Sequence, residues 1–163
     1  MALMPDLEMP MKSFEAALKS REIAVQPGAL DEKIFVHMDK PAGEPRFSYV
    51  RLDRTTVTAF VVFIPADPYE RLPCFQVGWA VPKELRGQGR AADAFRAAVN
   101  ELWNGMSRNG MREFYVEAVV EQGNVASEKL AEKVVSSAVK TGIDKNAGVP
   151  ITQYFRKIDG IVA

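Results

Sequence analysis

The residues best suited to chemistry begin with Arg86-Gly87-Gln88-Gly89-Arg90-Ala91, between the apolar run Phe75 to Val81 and a helical pattern over Ala91 to Trp103. A turn from strand to helix points several backbone N–H groups at one spot, and the helix N-terminus adds partial positive charge there. Such a spot suits a phosphate or pyrophosphate. Gly87 and Gly89 carry no Cβ, so a ligand can approach their backbone closely. Lys83, Arg86 and Arg90 add a local basic patch. The turn is not the phosphate loop of nucleotide hydrolases, because Gly89 is followed by Arg90 and Ala91 rather than by Lys and Ser or Thr. It is not a dinucleotide fingerprint either, since Ala92 stands where a third Gly is needed. The plain alternative is a Gly-rich turn that only caps a helix.

Asn124 and Ser127 open a second helical pattern after the continuous run Phe114 to Val120. Asn is a good N-cap, with a side-chain oxygen for orphan N–H groups, so plain capping is one reading of this pair. Glu117 and Tyr154 are ionisable residues on strand-like runs; a strand Glu can simply face solvent, and a strand Tyr is usually a packing residue. His37, the sole histidine, sits on a short strand-like run near a Pro-rich stretch and reads as a surface residue.

Composition narrows the classes of function. The 163 residues suffice for one domain with a sizeable core, and 47% apolar with 26% charged residues is ordinary for a soluble globular chain. Lys plus Arg and Asp plus Glu each number 21, which argues against broad electrostatic binding of nucleic acid or anionic membrane. Cys74 is the single cysteine, so no intramolecular disulfide can form, which fits a reducing compartment. It begins an apolar strand pattern and reads as a buried structural thiol. With one His and one Cys, a His/Cys metal site is not expected. No apolar run approaches the roughly 20 residues of a membrane span, and the first residues lack the layout of a signal peptide. A cytoplasmic location is the expectation.

The elements that must position these residues follow from periodicity. Residues 1–10 look loosely ordered, and Met11 to Arg21 has helical spacing. Ile23 to Gly28 reads as extended, Ile34 to Met38 as a short strand, and the stretch around Pro41, Gly43 and Pro45 as a loop. Phe47 to Leu52 and Thr56 to Ile64 form a hairpin about the polar turn 53–55. Pro65 to Pro73, with three prolines, is expected to be a loop. Phe75 to Val81, the helix Ala91 to Trp103 and Phe114 to Val120 make a strand-helix-strand unit, which implies a right-handed crossover and a parallel or splayed strand pair. A helix over Asn124 to Val135 and strands over Ala138 to Ile143 and Ile151 to Ile158 complete the chain. The sum is an α+β fold: one domain over residues 1–163 with a mixed, mostly antiparallel sheet flanked by helices.

The turn resembles the pyrophosphate-binding signature of the GCN5-related N-acetyltransferase (GNAT) superfamily, Arg/Gln-x-x-Gly-x-Gly/Ala, matched by Arg86, Gly89 and Ala91 with an extra Gly at Gly87. Asn124 to Ser127 resembles the Asn-x-x-Ala/Ser motif that opens a later helix of the same family, about 35 residues on. The order of elements is similar over residues 47–160. The resemblance implies acetyl-CoA as co-substrate, with no metal. Its pyrophosphate would lie on Arg86, Gly87, Gln88, Gly89, Arg90 and Ala91. Its pantetheine would meet the backbone of Ala80 and Val81, and Asn124 and Ser127 would approach it. The backbone near Trp79 to Val81 would stabilise the oxyanion. Lys129 or Lys133 could reach the 3′-phosphate.

A primary amine, on a small molecule or a protein or peptide, would then attack directly in a ternary complex. Glu117 or Glu121 would be the base, and Tyr154 or Ser127 the acid. The sequence departs from the family here: the usual acid, a Tyr seven residues after the motif Asn, is replaced by Ala131, and Val135-Ser136-Ser137 replaces the usual Gly-Phe pair. A thiolate is also a tolerable leaving group without an acid. Non-catalytic acyl-CoA binding or sensing in the same fold stays open as an alternative, as does acetylation of the amino acid on charged tRNA, which the neutral charge disfavours. A homodimer is compatible with the resemblance, and the acceptor is not legible.

Overall fold

The computed structural model describes Met4, residues 6–137 and residues 139–163. Their frame is an eight-stranded sheet with helices on both faces, which is the expected α+β architecture. The strands are β1 (Gln26–Pro27), β2 (Ile34–Asp39), β3 (Arg46–Asp53), β4 (Thr56–Tyr69), β5 (Leu72–Ala80), β6 (Phe114–Glu121), β7 (Val139–Ile143) and β8 (Pro150–Ile158). Their order is β1-β2-β3-β4-β5-β6-β8-β7, antiparallel throughout except for the parallel pair β5–β6. The helices are α1 (Glu8–Lys19), α2 (Arg90–Arg108) and α3 (Val125–Val134).

Alternation along the strands splits the apolar residues between two cores. On one face Ala59, Val61 and Phe63 of β4, Phe75 and Val77 of β5, and Phe114, Val116 and Ala118 of β6 pack against Phe95, Ala98, Val99 and Leu102 of α2. Ala131 and Val134 bring α3 onto the same face. On the other face Val50, Phe60 and Val62 receive Met11 and Phe14 of α1. The crossover through α2 thus covers one face of the parallel pair and leaves the other to α1 and open surface.

Three expectations are corrected. Pro65 to Pro73 is not a loop but the junction of two long strands, β4 and β5, joined at Glu70 and Arg71 with φ of 48° and 67°. Both residues adopt the left-handed conformation that a tight two-residue hairpin turn needs, although neither is Gly. Pro68 falls where the register shifts between Ala66 and Tyr69, so its missing N–H breaks no regular ladder. Next, α1 starts at Glu8 rather than Met11, because Pro10 lies in the first turn, where no intrahelical N–H bond is lost. Of the residues before α1, 1–3 and 5 lie outside the described residues, while Leu7 is buried and Met4 packs against the same core. Lastly, α2 continues past Trp103 to Arg108, held by Met106 against the core despite Gly105. Ala138, expected to start a strand, lies outside the described residues.

One buried carboxylate ties this frame together. Glu101 of α2 is 9% exposed. It accepts the N–H groups of Ala29 at 2.6 Å, Leu30 at 2.9 Å and Asp31 at 2.8 Å, and so fixes the β1–β2 connection onto α2. A Cβ at Gly28 would stand 2.5 Å from the Asp31 carbonyl oxygen and 2.7 Å from Glu101 Cδ, so only Gly fits there. Hydrogen bonds to a charged group are stronger than neutral ones, and removing the acceptor strands the donors. Glu101→Ala is therefore expected to cost about 2–4 kcal/mol of stability. Glu101→Gln, which keeps one acceptor oxygen, should cost less. Urea denaturation of the two variants checks the order.

Candidate active site

The pairing of β5 with β6 stops early. Cys74, Phe75 and Gln76 pair with Tyr115, Val116 and Glu117. Beyond that point β5 follows β4, with Trp79 opposite Val61 and Ala80 opposite Phe60. β6 instead follows β8, with Glu121 opposite Ile151. The two strands splay from Gln76 and Glu117 onward, and the facing edges of residues 77–80 and 118–121 turn backbone polar groups toward the gap. An extended ligand with amide groups suits such a gap.

Both helix starts lie at the wide end of this splay, beyond the C-terminal ends of β5 and β6. A 3-10 turn, Lys83–Leu85, leads to Gly87 at φ 75° and Gly89 at φ 77°, the N-cap of α2. The Asp93 N–H donates to the Gly89 carbonyl at 3.1 Å and begins the helical ladder. The N–H groups of Arg90, Ala91 and Ala92 precede it and face the approach to the helix start. A Cβ built on Gly87 or Gly89 meets nothing within 4 Å, so the space over this turn is open. Arg86 Nε donates to the Val81 carbonyl at 3.0 Å, bracing the turn against the end of β5, and Arg90 Nε donates to Gln88 Oε1 at 3.2 Å. At the second helix start, Asn124 Oδ1 accepts the Ser127 N–H at 3.3 Å, so capping by Asn124 is observed directly. The open Gly turn, the exposed helix N-terminus and the splayed edges together fit the diphosphate and amide chain of coenzyme A.

The expected proton carriers do not meet. Glu117 and Tyr154 lie on opposite faces of the sheet: Glu117 pairs with Phe155, and Tyr154 with Ala118. Tyr154 is 2% exposed and belongs to the core under α2 and α3. Burial, and then Glu128 and Glu132 of α3, push its pKa up. Trp79 lies half-buried on that same face, its ring 6.4 Å from Phe95. Ala131 is fully buried in the same core. Cys74 is buried, and its thiol is pushed up to about 12, by burial first and then by Glu117 and Asp67, which fits an inert thiol. His37 stands apart against Phe14, with Nδ1 3.2 Å from the Ala24 carbonyl.

Glu117 faces the side away from α2, at the apex of the splay. Its carboxylate accepts a hydrogen bond from Gln153 Nε2. Burial raises its pKa, the Gln153 bond opposes that, and Asp67 adds to the rise. A raised carboxyl moves toward the range useful for a base near neutral pH. It lines a cavity of about 340 Å³ with Asp67, Tyr69, Gln76, Lys140, Gln153 and Phe155. These neighbours were missed from the sequence. Asp67 and Tyr69 were hidden by the loop expected there, and the others come together only through the β5–β6, β6–β8 and β7–β8 registers. A further cavity of about 550 Å³ lies beside the start of α2, where Arg51 bridges Asp31 at 2.8 Å and Asp93 at 3.0 Å.

Among the described residues, no group of three or more His, Cys, Asp or Glu side chains is placed to hold a metal ion, and no helix is long and apolar enough to cross a membrane.

Comparison with known proteins bears on this geometry. A family model described as an acetyltransferase (GNAT) domain matches residues 18–134. No curated protein sequence matches the chain. Among solved structures, it is similar to a ribosomal-protein-S5-alanine acetyltransferase from Vibrio fischeri, with 13% identity over 74% of this chain and 64% of that one and a TM-score of 0.52. It is similar to a chain of the NatC complex bound to Gag peptide and CoA, with 16% identity, 68% and 69% coverage and a TM-score of 0.50. An N-acetyltransferase from Staphylococcus aureus Mu50 matches at 21% identity, 71% and 67% coverage and a TM-score of 0.46. At these identities the likeness is one of fold. The chain spans just under two thirds of the first solved structures it matches, namely 65%, 63% and 64% of their lengths.

Proposed function

Since the chain belongs to the acetyltransferase (GNAT) domain family, we propose that it transfers an acetyl group from acetyl-CoA to a primary amine by direct attack in a ternary complex. The observation that carries this reading is the splay of β5 from β6 beyond Gln76 and Glu117, opening toward the Gly87–Gly89 turn. Bound there, acetyl-CoA supplies an activated acetyl thioester. The chain's own residues do the rest. The N–H groups of Gly89, Arg90 and Ala91 hold the diphosphate, helped by the positive end of α2. Backbone groups of Trp79, Ala80 and Val81 pair with the pantetheine amides, and an N–H there steadies the charge that develops on the acetyl oxygen. Asn124 and Ser127 border the same gap, with the Asn124 side chain capping α3 by accepting the Ser127 N–H.

The acceptor enters the cavity on the far face, where Glu117 takes a proton from its ammonium, directly or through water. Gln153 holds the Glu117 carboxylate in orientation through its Nε2–H bond. Because Tyr154 lies on the other face, it acts in packing and the thiolate departs without a dedicated acid. The acceptor is a small-molecule or peptide amine whose reactive end fits a cavity of about 340 Å³.

Thiol release from acetyl-CoA across a panel of primary amines tests the proposal, with thermal stabilisation by coenzyme A measured alongside. Amine-dependent release is the expected result. Stabilisation by coenzyme A with no release from any amine would instead assign the chain to acyl-CoA binding or sensing, a reading that the replacement of the usual Tyr by Ala131 keeps in view.

A further inference from the structure

The acceptor cavity already contains a primary amine. Lys140 of β7 pairs with Gln153 of β8, and Gln153 donates to Glu117. Lys140 Nζ lies 4.7 Å from the centre of the Tyr69 ring and 5.8 Å from that of Phe155. Those two rings stack at 3.8 Å with 9° between their planes. Lys140 and Glu117 line the same cavity, at the apex of the splay where the strand gap opens. Lys140 is exposed, and an exposed contact between a cation and a ring is weak, so the ammonium can leave the rings at little cost. Its four-carbon stem is flexible.

We propose that Lys140 is itself an acceptor: with no competing amine present, the protein acetylates the Lys140 side chain in cis. The inference rests on the reading of this cavity as the acceptor side of an acetyl-CoA site. In the transfer, a bond forms between Nζ and the acetyl carbonyl carbon, and the bond from that carbon to sulfur breaks. The electron pair of the broken bond leaves with sulfur. Of the two protons lost by the ammonium, one passes through Glu117 to solvent and the other ends on the thiolate. Acetylation removes the charge over Tyr69 and Phe155 and leaves a neutral amide at the mouth of the cavity.

The test is incubation of the full chain with acetyl-CoA alone, followed by intact mass and peptide mapping. One acetyl group is expected at Lys140, gained at a first-order rate that does not change with protein concentration. In Glu117→Gln that rate should fall at least ~10-fold, while slow chemical acylation of exposed lysines such as Lys129 and Lys145 is unchanged. In Lys140→Arg, which keeps a cation over the rings, the fast acetylation should vanish and not move to another lysine. Modification of Lys140 no faster than of Lys129 or Lys145, or equally fast in Glu117→Gln, overturns the inference. If amines from the panel still release thiol in that event, only this inference fails. If coenzyme A does not stabilise the protein at all, the reading of the site fails with it.

Discussion

Glu117→Gln is expected to lower kcat for amine acetylation by roughly 10²–10⁴-fold, the range a positioned acid or base contributes, while the fold survives. The variant keeps the shape of the side chain and an oxygen that can accept from Gln153 Nε2, so the hydrogen bond at the apex of the splay persists. What it loses is the group that accepts a proton. The folded-state pKa of Glu117 is raised, by burial first and with Asp67 adding to it, against the Gln153 bond. For a carboxyl with a raised folded-state pKa, the favourable contribution is fully present below the unfolded value and is lost as pH rises through the folded value. The wild type should therefore lose stability relative to Glu117→Gln on going from about pH 4 to about pH 8. Melting temperatures of the two proteins across that range check the sign. The same shift places the acid limb of the wild-type rate profile above the usual carboxylate range. A drop in kcat together with a lower melting temperature at the alkaline end would mean that Glu117 is a structural group.

Gly89→Ala should separate backbone cost from ligand cost. Gly89 has φ 77°, and a Cβ there meets no protein atom within 4 Å. Gly110, just past the end of α2, is a matched control with φ 93° and equally open surroundings. Each substitution places an L-residue in left-handed backbone at a cost of about 1–2 kcal/mol. Only Gly89 lies on the turn assigned to the diphosphate, where the added methyl group would stand between the ligand and the N–H groups of α2. Coenzyme A affinity should fall at least ~10-fold in Gly89→Ala, more than about 1.4 kcal/mol, and stay unchanged in Gly110→Ala. Calorimetric titration of the two variants and the wild type reads this out, with urea denaturation to confirm equal stability costs. Equal loss of affinity in both would trace the effect to general destabilisation.

The parts of the site legible in the sequence are those built from local rules. The turn from Arg86 to Ala91 declares itself because glycine, a helix start and a preceding strand are contiguous. Asn124 does so because capping is a contact over three residues. The crossover between β5 and β6 follows from the helix between them. The proposed acceptor side is different in kind. Glu117 meets Gln153 across 36 positions of sequence, and Lys140 of β7 reaches Tyr69 of β4 across β5, β6 and β8. Pairing of that kind leaves no periodic mark on either segment. The β4–β5 hairpin was concealed for another reason: Glu70 and Arg71 take positive φ without being Gly, and prolines nearby suggested a break. Glu101 carries no local mark either, since its three backbone partners come from a loop about 70 residues earlier.

The assignment of the splayed strands and the Gly turn to coenzyme A is tested most directly by amide NMR of the ¹⁵N-labelled chain titrated with coenzyme A. Saturable shifts are expected for the N–H groups of Gly87, Gly89, Arg90 and Ala91, for residues 77–80 and 118–121 on the facing edges of β5 and β6, and for Asn124 and Ser127. Strands β1 and β2, at the far end of the sheet, should stay unmoved. No saturable shift at the Gly turn, or shifts confined to the cavity around Arg51 and Asp31, would contradict it.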